Sequence, residues 1–506
     1  MPWKNQQIVK LLEHQSLLSK DYKLVTEGFI LAKQMYINGE WVPAISNGTF
    51  PVHNPATSEI INYVPNGGYE EALRASKAAA DAFSKWASKL AEERANMILK
   101  FRDIIIEHKK ELIETLCLKS GKPIVEAEAE ITAGLNFFTW YAEEAKRIYG
   151  DIIPASAYDK RIAVIKQPIG VVRVITPWNF PFNALAKKIA PALAAGCTLV
   201  IKPAEETPLT ALKLAELAEK VGFDKGVLNV VTGNPQDIGE AWLKDDHVKL
   251  ITFTGSTEVG KILMRGAADK VKKLSLELGG HAPFIVFEDA DLDKAVEGLI
   301  GSKFRNNGQT CVCANRVFVA KNIFEPFLEK LKVAISQLKI GKYDEPNVTT
   351  GPLINEAALE KVEKHVQDAI NKGATLEMGG NRVDKYPNGY FYEPTILCGI
   401  DSTMDLFYEE TFGPVIPIAT FTDEDEVIKH ANDTVYGLAA YIFTESLSKA
   451  IQVSEKIESG IVGVNDGLPS IAQAPFGGWK ESGIGKEGGK EGIEEFLETK
   501  YISIKM

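Results

Sequence analysis

The sequence is poor in the features that mark specialised chains. Its 506 residues include five cysteines, seven histidines and seven methionines, and no stretch approaches the roughly 18 uninterrupted apolar residues needed to span a bilayer. No internal repeat, low-complexity tract or proline-rich linker divides it. Positive charge is in deficit, with 57 Lys and Arg against 68 Asp and Glu and a formal net charge of −11. Such a balance repels a phosphate backbone, and no Lys/Arg stripe offsets it, so neither nucleic acid nor membrane is an expected partner. The cysteines (Cys117, Cys197, Cys311, Cys313 and Cys398) are odd in number and scattered. That is no disulfide framework, and a reducing, cytoplasmic compartment is expected. The histidines show no ligand spacing, so no metal is expected. Residues 1–34 mix charges among leucines, with neither a signal-peptide block nor a transit-peptide pattern, and read as a helical extension.

What is present is ordinary core material, 45% apolar and 25% charged, in a chain too long for one hydrophobic core. Ala72, Ala75, Ala79, Phe83 and Trp86 recur at helical steps, and Glu107–Leu118 continues in that style. From Gly170 the pattern changes to short β-branched runs alternating with helical stretches: Val171–Ile175, Thr198–Ile201, Val227–Val231, Leu250–Phe253 and Lys273–Leu276. This βαβ order predicts a parallel sheet covered on both faces. A second alternation begins at Pro283–Phe287, continues through Arg316–Ala320 and ends near Val464. A crevice between two such lobes is the natural place for a site.

Several segments carry candidate chemistry. Gly308-Gln309-Thr310-Cys311-Val312-Cys313 presents a cysteine in a polar, glycine-opened segment. At a pKa of about 8.5 only roughly 3% of it is thiolate at neutral pH, so a nucleophile here needs a base or a positive field. An inert buried cysteine is the plainer alternative. Glu277 in Ser275-Leu276-Glu277-Leu278-Gly279-Gly280 lies between apolar neighbours at a strand end. Desolvation there lifts a carboxyl toward the range of a useful base, although a salt-bridged strand-end Glu looks the same in sequence. Asn179 in Thr176-Pro177-Trp178-Asn179-Phe180-Pro181 can donate to a developing oxyanion, or simply satisfy turn backbone. Lys202 and Glu205, closing another strand, can hold ribose hydroxyls or form a surface ion pair. In Phe253-Thr254-Gly255-Ser256-Thr257, Ser256 can cap a helix whose free N–H groups face a pyrophosphate next to Gly255. Taken singly, that turn is a weak nucleotide signal.

Together these segments resemble the aldehyde dehydrogenase superfamily from about Met35 to Met506. Asn179 in TPWNFP, Lys202 and Glu205 in KPAE, FTGSTEVG, Glu277 in LELGG, Cys311 in GQTC, Glu410 and Phe412 in EETFGP, and FGGWKESG stand in that family's order, with its 34-residue spacing from Glu277 to Cys311. The resemblance implies an α/β fold: a Rossmann-type NAD-binding domain with a five-stranded parallel sheet (35–142 and 168–280), an α/β catalytic domain (281–475) and a small antiparallel oligomerisation element (143–167 and 485–506). In the last, Tyr501, Ser503 and Lys505 alternate with Ile502, Ile504 and Met506, as in a half-buried strand. An edge strand of that kind invites a second copy, so a homodimer or homotetramer is expected.

The resemblance also implies roles. Cys311 attacks the aldehyde, Asn179 meets the oxyanion, and Glu277 activates the water that hydrolyses a thioester. Trp178 and Phe412 wall the nicotinamide, and Glu410 grips its ribose. The cofactor is NAD, with NADP weaker because Glu205 repels a 2′-phosphate. Relatives that pass the acyl group to coenzyme A typically lack the glutamate found here at 277, and a catalytically silent member would lack nucleophile or base. FRNNGQTCVCANR and the C-terminal segment look most like succinate-semialdehyde dehydrogenases, which implies that Arg305 and Ser470 hold a substrate carboxylate. Where an arginine is usual, this chain has Lys187, which keeps the charge and loses the bidentate fork. A general aliphatic or aromatic aldehyde dehydrogenase is the alternative. Cys313, two residues from Cys311, shares a face with it if the segment is extended, and is a candidate redox partner in a strained disulfide.

Overall fold

A computed structural model describes residues 34–506; the expected N-terminal helical extension lies outside them. The first βαβ alternation folds as predicted, with strands β1 (Val171–Ile175), β2 (Thr198–Lys202), β3 (Leu228–Val230), β4 (Val248–Thr254) and β5 (Lys273–Glu277) all parallel in the order β3-β2-β1-β4-β5. The chain steps outward from β1 to β3, then crosses back to place β4 on the other side of β1. Strand order therefore reverses between β1 and β4, opening a crevice at their carboxyl ends. Three short strands extend this sheet without any sequence signal. Met35–Ile37 and Glu40–Val42 add antiparallel beyond β3, and Gly483–Ile484 adds antiparallel to β5. Segments of two or three residues are too short for a period to register.

The second sheet comprises β6 (Ala282–Val286), β7 (Ala314–Ala320), β8 (Thr395–Cys398), β9 (Val415–Phe421), β10 (Ala439–Phe443) and β11 (Ile461–Val464). They run parallel in the order β8-β9-β7-β6-β10-β11, with Thr375–Met378 antiparallel outside β8. Every residue of β6, β7 and β10 is buried, matching the unbroken apolar runs of β6 and β10; β7 buries Asn315 and Arg316 as well. Four helices matter for the site: α1 (Ile124–Glu144), α2 (Pro181–Ala195), α3 (Thr257–Ala268) and α4 (Leu292–Phe304). Near the front, Ala72, Ala75, Ala79 and Trp86 form the buried stripe of Tyr69–Ala87. The predicted helical stretch Glu107–Leu118 is interrupted at His108, where one helix ends and Lys109–Ser120 begins.

The third element is the antiparallel sheet Asp151–Ile153, Lys160–Pro168 and Leu497–Lys505, whose last two strands pair over nine positions. Two details differ from the sequence expectation. Residues 143–147 are helical, because α1 runs to Glu144 and a 3₁₀ turn occupies Ala145–Arg147. The alternation at the C-terminus also does not produce a buried face within this chain. Ile502 is half-buried, but Ile504 and Met506 are exposed along with Tyr501. Alternation specifies a strand; burial needs a second layer to cover it.

The architecture sets two sheets end to end. β1, β2, β4 and β5 deliver Thr176–Asn179, Lys202–Glu205, Gly255–Ser256 and Glu277–Gly280 from their carboxyl ends. The amino ends of β6, β7 and β9 are approached through Gly280, Cys311 and Glu410–Phe412. Among the described residues no helix is long and apolar enough to cross a membrane, and no group of three or more His, Cys, Asp or Glu side chains could hold a metal.

The core of the second lobe depends on aromatic stacking in the middle of its sheet, where the buried Phe284 ring lies 4.7 Å from Phe443 and 5.8 Å from Tyr441. Phe284→Ala is expected to cost about 3–5 kcal/mol in urea unfolding. A loss below about 1 kcal/mol would show that neighbouring side chains refill the space.

Candidate active site

The loop that carries Cys311, the candidate nucleophile, is bent by backbone conformation. After α4 and Arg305, Asn306 (φ 50°), Asn307 (φ 56°) and Gly308 (φ 77°) are consecutive left-handed residues, a costly run that surrounding contacts must hold. At Gly308 a Cβ would lie 2.2 Å from the Gly413 carbonyl oxygen, so only glycine fits. Gln309 then fastens the loop: its side-chain amide donates to the Asn306 carbonyl (3.0 Å) and its Oε1 accepts from the Ile354 N–H (2.9 Å). Gly280 packs against the same loop, and a Cβ there would meet the Cys311 carbonyl oxygen at 2.1 Å. The Cys311 thiol emerges partly exposed. Burial pushes its pKa up to about 12, opposed by the positive charges of Lys187 and Arg305 and reinforced by Glu410 and Glu277.

Asn179 reaches this loop from the other sheet. It is buried, and its Nδ2 donates to the Gln309 carbonyl at 3.0 Å while its Oδ1 accepts from the Phe180 N–H. One of its two N–H groups is thereby committed, leaving a second donor on the same nitrogen. Beside it the Trp178 ring meets Phe412 edge-on at 5.5 Å. Phe412 is itself left-handed, with φ 56°.

Glu277 is buried with neither carboxylate oxygen hydrogen-bonded. Desolvation lifts its pKa well above the usual carboxylate range and Glu487 adds to the rise, against the pull of Lys188, Lys187 and Lys486. Under it lies a buried charge cluster. Lys188 donates to Glu487 (2.6 Å) and Thr252 (3.0 Å), while Lys187 pairs with the other Glu487 oxygen at 3.4 Å and stands 3.5 Å over the Phe476 ring. Burial alone would raise the Glu487 carboxyl, but the two lysines outweigh it and hold it below its ordinary value. Two carboxyls in one pocket are thus driven in opposite directions, one toward the neutral form and one toward the ionised form.

The crevice between β1 and β4 fits a dinucleotide. At its floor the Thr176 and Thr254 hydroxyls are buried without partners. Lys202 and Glu205 form an ion pair at the end of β2, with Lys202 buried and Glu205 partly exposed. Ser256 caps α3 as predicted, accepting from the Val259 N–H, so the helix offers unpaired N–H groups beside Gly255. Glu410 accepts from the Gly280 N–H at 3.0 Å, and burial raises its pKa to about 7. Hydroxyls, an ion pair and a helix start at a strand-order reversal suit ribose and pyrophosphate recognition.

The fold thus brings Cys311, Glu277, Asn179, Trp178, Glu410, Phe412, Arg305 and Lys187 to one junction, with Lys202, Glu205, Gly255 and Ser256 along the adjoining crevice. Arg305 stacks 5.2 Å over Phe180, and its Nε is buried without a partner. Ser470 is exposed on the loop after β11, and no hydrogen bond among the described residues ties it to the cluster. The Cys311–Cys313 segment is a turn, closed by the Cys313 N–H donating to Thr310, and is not extended as the shared-face argument required. The buried Cys313 thiol points at the Lys303 and Ala314 carbonyls. Sequence reading missed Glu487, Lys188 and the Glu126 carboxylate that grips Asn306. Lys188 stands next to Lys187 and Glu487 four residues after FGGWKESG, but nothing in the sequence pairs them, and Glu126 belongs to none of the motifs.

Comparison with known proteins agrees with this layout. The Aldehyde dehydrogenase family profile matches residues 41–502. The glutarate-semialdehyde dehydrogenase of Pseudomonas aeruginosa is 50% identical over 475 residues, covering 94% of this chain and 98% of that protein. The NADP(+) succinate-semialdehyde dehydrogenase of Escherichia coli is 49% identical, with the same shares covered. A crystal structure of succinate-semialdehyde dehydrogenase from Burkholderia pseudomallei superimposes with a TM-score of 0.92 at 50% identity, over 94% of this chain and 98% of that one. A match of that depth over nearly the whole of each protein, on a fold whose motif residues converge at one junction, leaves one conclusion: this chain belongs to the aldehyde dehydrogenase family.

Proposed function

We propose that the enzyme oxidises an ω-carboxylated aldehyde of succinate-semialdehyde type, with NAD, to the dicarboxylic acid. The observation that carries the substrate class is Arg305, six residues before Cys311, with its Nε buried and unpartnered and its charge felt by the Cys311 thiol. A buried guanidinium donor left open beside a nucleophile suits a substrate carboxylate. Relatives named for succinate and glutarate semialdehydes support the same reading. Lys187 adds positive charge but is shared with Glu487, and Ser470 stands exposed as a further hydroxyl donor.

In this reading the Cys311 thiolate adds to the aldehyde carbon, forming a C–S bond as the carbonyl pair moves onto oxygen. The uncommitted Asn179 N–H and the Cys311 backbone N–H meet that oxyanion. A nicotinamide dinucleotide, when bound, supplies the hydride acceptor. Glu277 then takes a proton from water, which attacks the Cys311 thioester, and the acid leaves as the thiolate is released. Trp178 and Phe412 exclude water from the face where hydride departs. Glu205 favours a free ribose 2′-hydroxyl, which argues for NAD over NADP despite the cofactor in the Escherichia coli relative's name. The open edges of the three-stranded sheet, with Ile152, Tyr501 and Ile504 exposed, support assembly into a homodimer or homotetramer. Five free cysteines suit a reducing cytoplasm.

Three measurements test this. Succinate semialdehyde is expected to exceed butanal by roughly 10- to 150-fold in kcat/KM, the value of a charge-assisted pair worth about 1.5–3 kcal/mol. Arg305→Ala should erase most of that ratio; equal turnover of both aldehydes by the unmodified enzyme would point to a general aldehyde dehydrogenase. NAD should give the higher kcat/KM, and Glu205→Ala should shift the ratio toward NADP. Because Glu277 acts only when ionised and its pKa is raised, deacylation should accelerate with rising pH after a rapid first turnover. Glu277→Gln should retain that first burst and lose the pH-dependent steady state.

A further inference from the structure

One face at the start of α1 holds both halves of the reaction centre. Glu126 and Glu130 stand four residues apart on α1, so their side chains emerge on the same side, and Lys122, just before the helix, reaches the same place through its pairing with Glu130. Both Glu126 oxygens accept from the Asn306 backbone N–H, at 3.0 and 2.9 Å, at the first left-handed residue of the nucleophile loop. The Asn306 side chain in turn donates to the Asn179 carbonyl (3.1 Å) and the Gln309 carbonyl (3.2 Å). Lys122 donates to that same Asn179 carbonyl at 2.9 Å and pairs with Glu130, both fully buried. Glu130 completes the circuit by accepting from the Phe182 and Asn183 N–H groups at the first turn of α2.

We infer that Glu126 is a positioning residue: through Asn306 it fixes the distance between the oxyanion donor Asn179, which follows β1, and the nucleophile Cys311, which precedes β7. No backbone pairing joins these two segments. The Asn179–Gln309 hydrogen bond crosses between them, and the α1 face braces it from behind on both sides. Asn306 and Asn307 have the left-handed conformation that side chains disfavour, so the loop relaxes when its first N–H loses its acceptor. The relaxation carries the Gln309 carbonyl away from the Asn179 amide, and a displacement of an ångström is sufficient to weaken catalysis by about 10²-fold.

This inference rests on Asn179 serving as the oxyanion donor, and the experiment separates the two. Two rates are compared in the holoenzyme: the first-turnover burst of reduced cofactor, which needs the oxyanion donor, and alkylation of Cys311 by iodoacetamide, a displacement that forms no oxyanion. Glu126→Ala is expected to slow the burst 10- to 100-fold while alkylation stays within about threefold and KM for the cofactor within about twofold. Glu126→Gln keeps a carbonyl acceptor and should recover the burst to within about fivefold of the unmodified enzyme. If Glu126→Ala does not fold, Glu126→Asp, which withdraws the oxygens by one methylene, carries the same expected split. A burst within twofold of normal in Glu126→Ala or Glu126→Asp, or burst and alkylation falling together, overturns the positioning role. Asn179→Ala is the control for the premise: if its burst is unchanged, the oxyanion assignment fails, whatever Glu126 does.

Discussion

The hydrogen bond from the Asn179 side chain to the Gln309 carbonyl, 3.0 Å long, is where the two sheets of this enzyme become one site. Each sheet pairs its own strands, and no strand is shared between them. The junction needs both, because Cys311 hangs from the second sheet while Asn179 and Glu277 hang from the first. Everything around that contact serves to hold it. Gly280 gives up a side chain so that the backbone after Glu277 can lie on the Cys311 carbonyl, and Gly308 gives up one so that the loop can pass Gly413.

Charge is arranged with equal economy. Glu277 is left without hydrogen bonds, an expensive state for an ionised carboxylate and a tolerable one for a neutral acid. Nearby Glu487 takes both lysines. The two lysines therefore hold the Glu487 carboxyl below its ordinary value while burial and Glu487 hold Glu277 well above its own, and the difference comes from partners, since both are buried. Removing one member of such a buried pair strands a charge, at a cost of about 3–5 kcal/mol. Lys188 and Glu487 are consequently tied to stability as well as to the electrostatics of Glu277.

Much of this was legible in the sequence. The β-branched runs located β1, β2, β4 and β5 to within about two residues, and the residues that end them are the ones that reach the site. Ser256 was read correctly as a cap because capping is local chemistry. What could not be read depends on contacts distant in the chain: Glu126 lies 180 residues from Asn306 and Lys188 lies 299 from Glu487. The extended segment imagined for Cys311 and Cys313 fails for a related reason. Alternation of side chains holds only in a strand, and three left-handed residues followed by a Thr310–Cys313 turn place the two thiols in different surroundings. The C-terminal alternation was a true strand signal whose second implication, burial, is not met within this chain, where Ile504 and Met506 are exposed.

The substitution of lysine for arginine at 187 gains meaning from the same geometry. A lysine is a compact point charge with rotatable donors, suited to sitting 3.5 Å over the Phe476 ring while sharing Glu487 with Lys188. An arginine's planar fork is larger and rigid, and is best used where two parallel bonds to one carboxylate are wanted. With Lys187 engaged below Glu277, Arg305 is the cation beside Cys311 whose Nε still lacks a partner. In the proposed function, recognition of a distal carboxylate then depends on one fork rather than two. Discrimination against an uncharged aldehyde should accordingly be that of a single charge-assisted contact, with Lys187 contributing through the field it sets at Cys311 and Glu277 more than through direct contact.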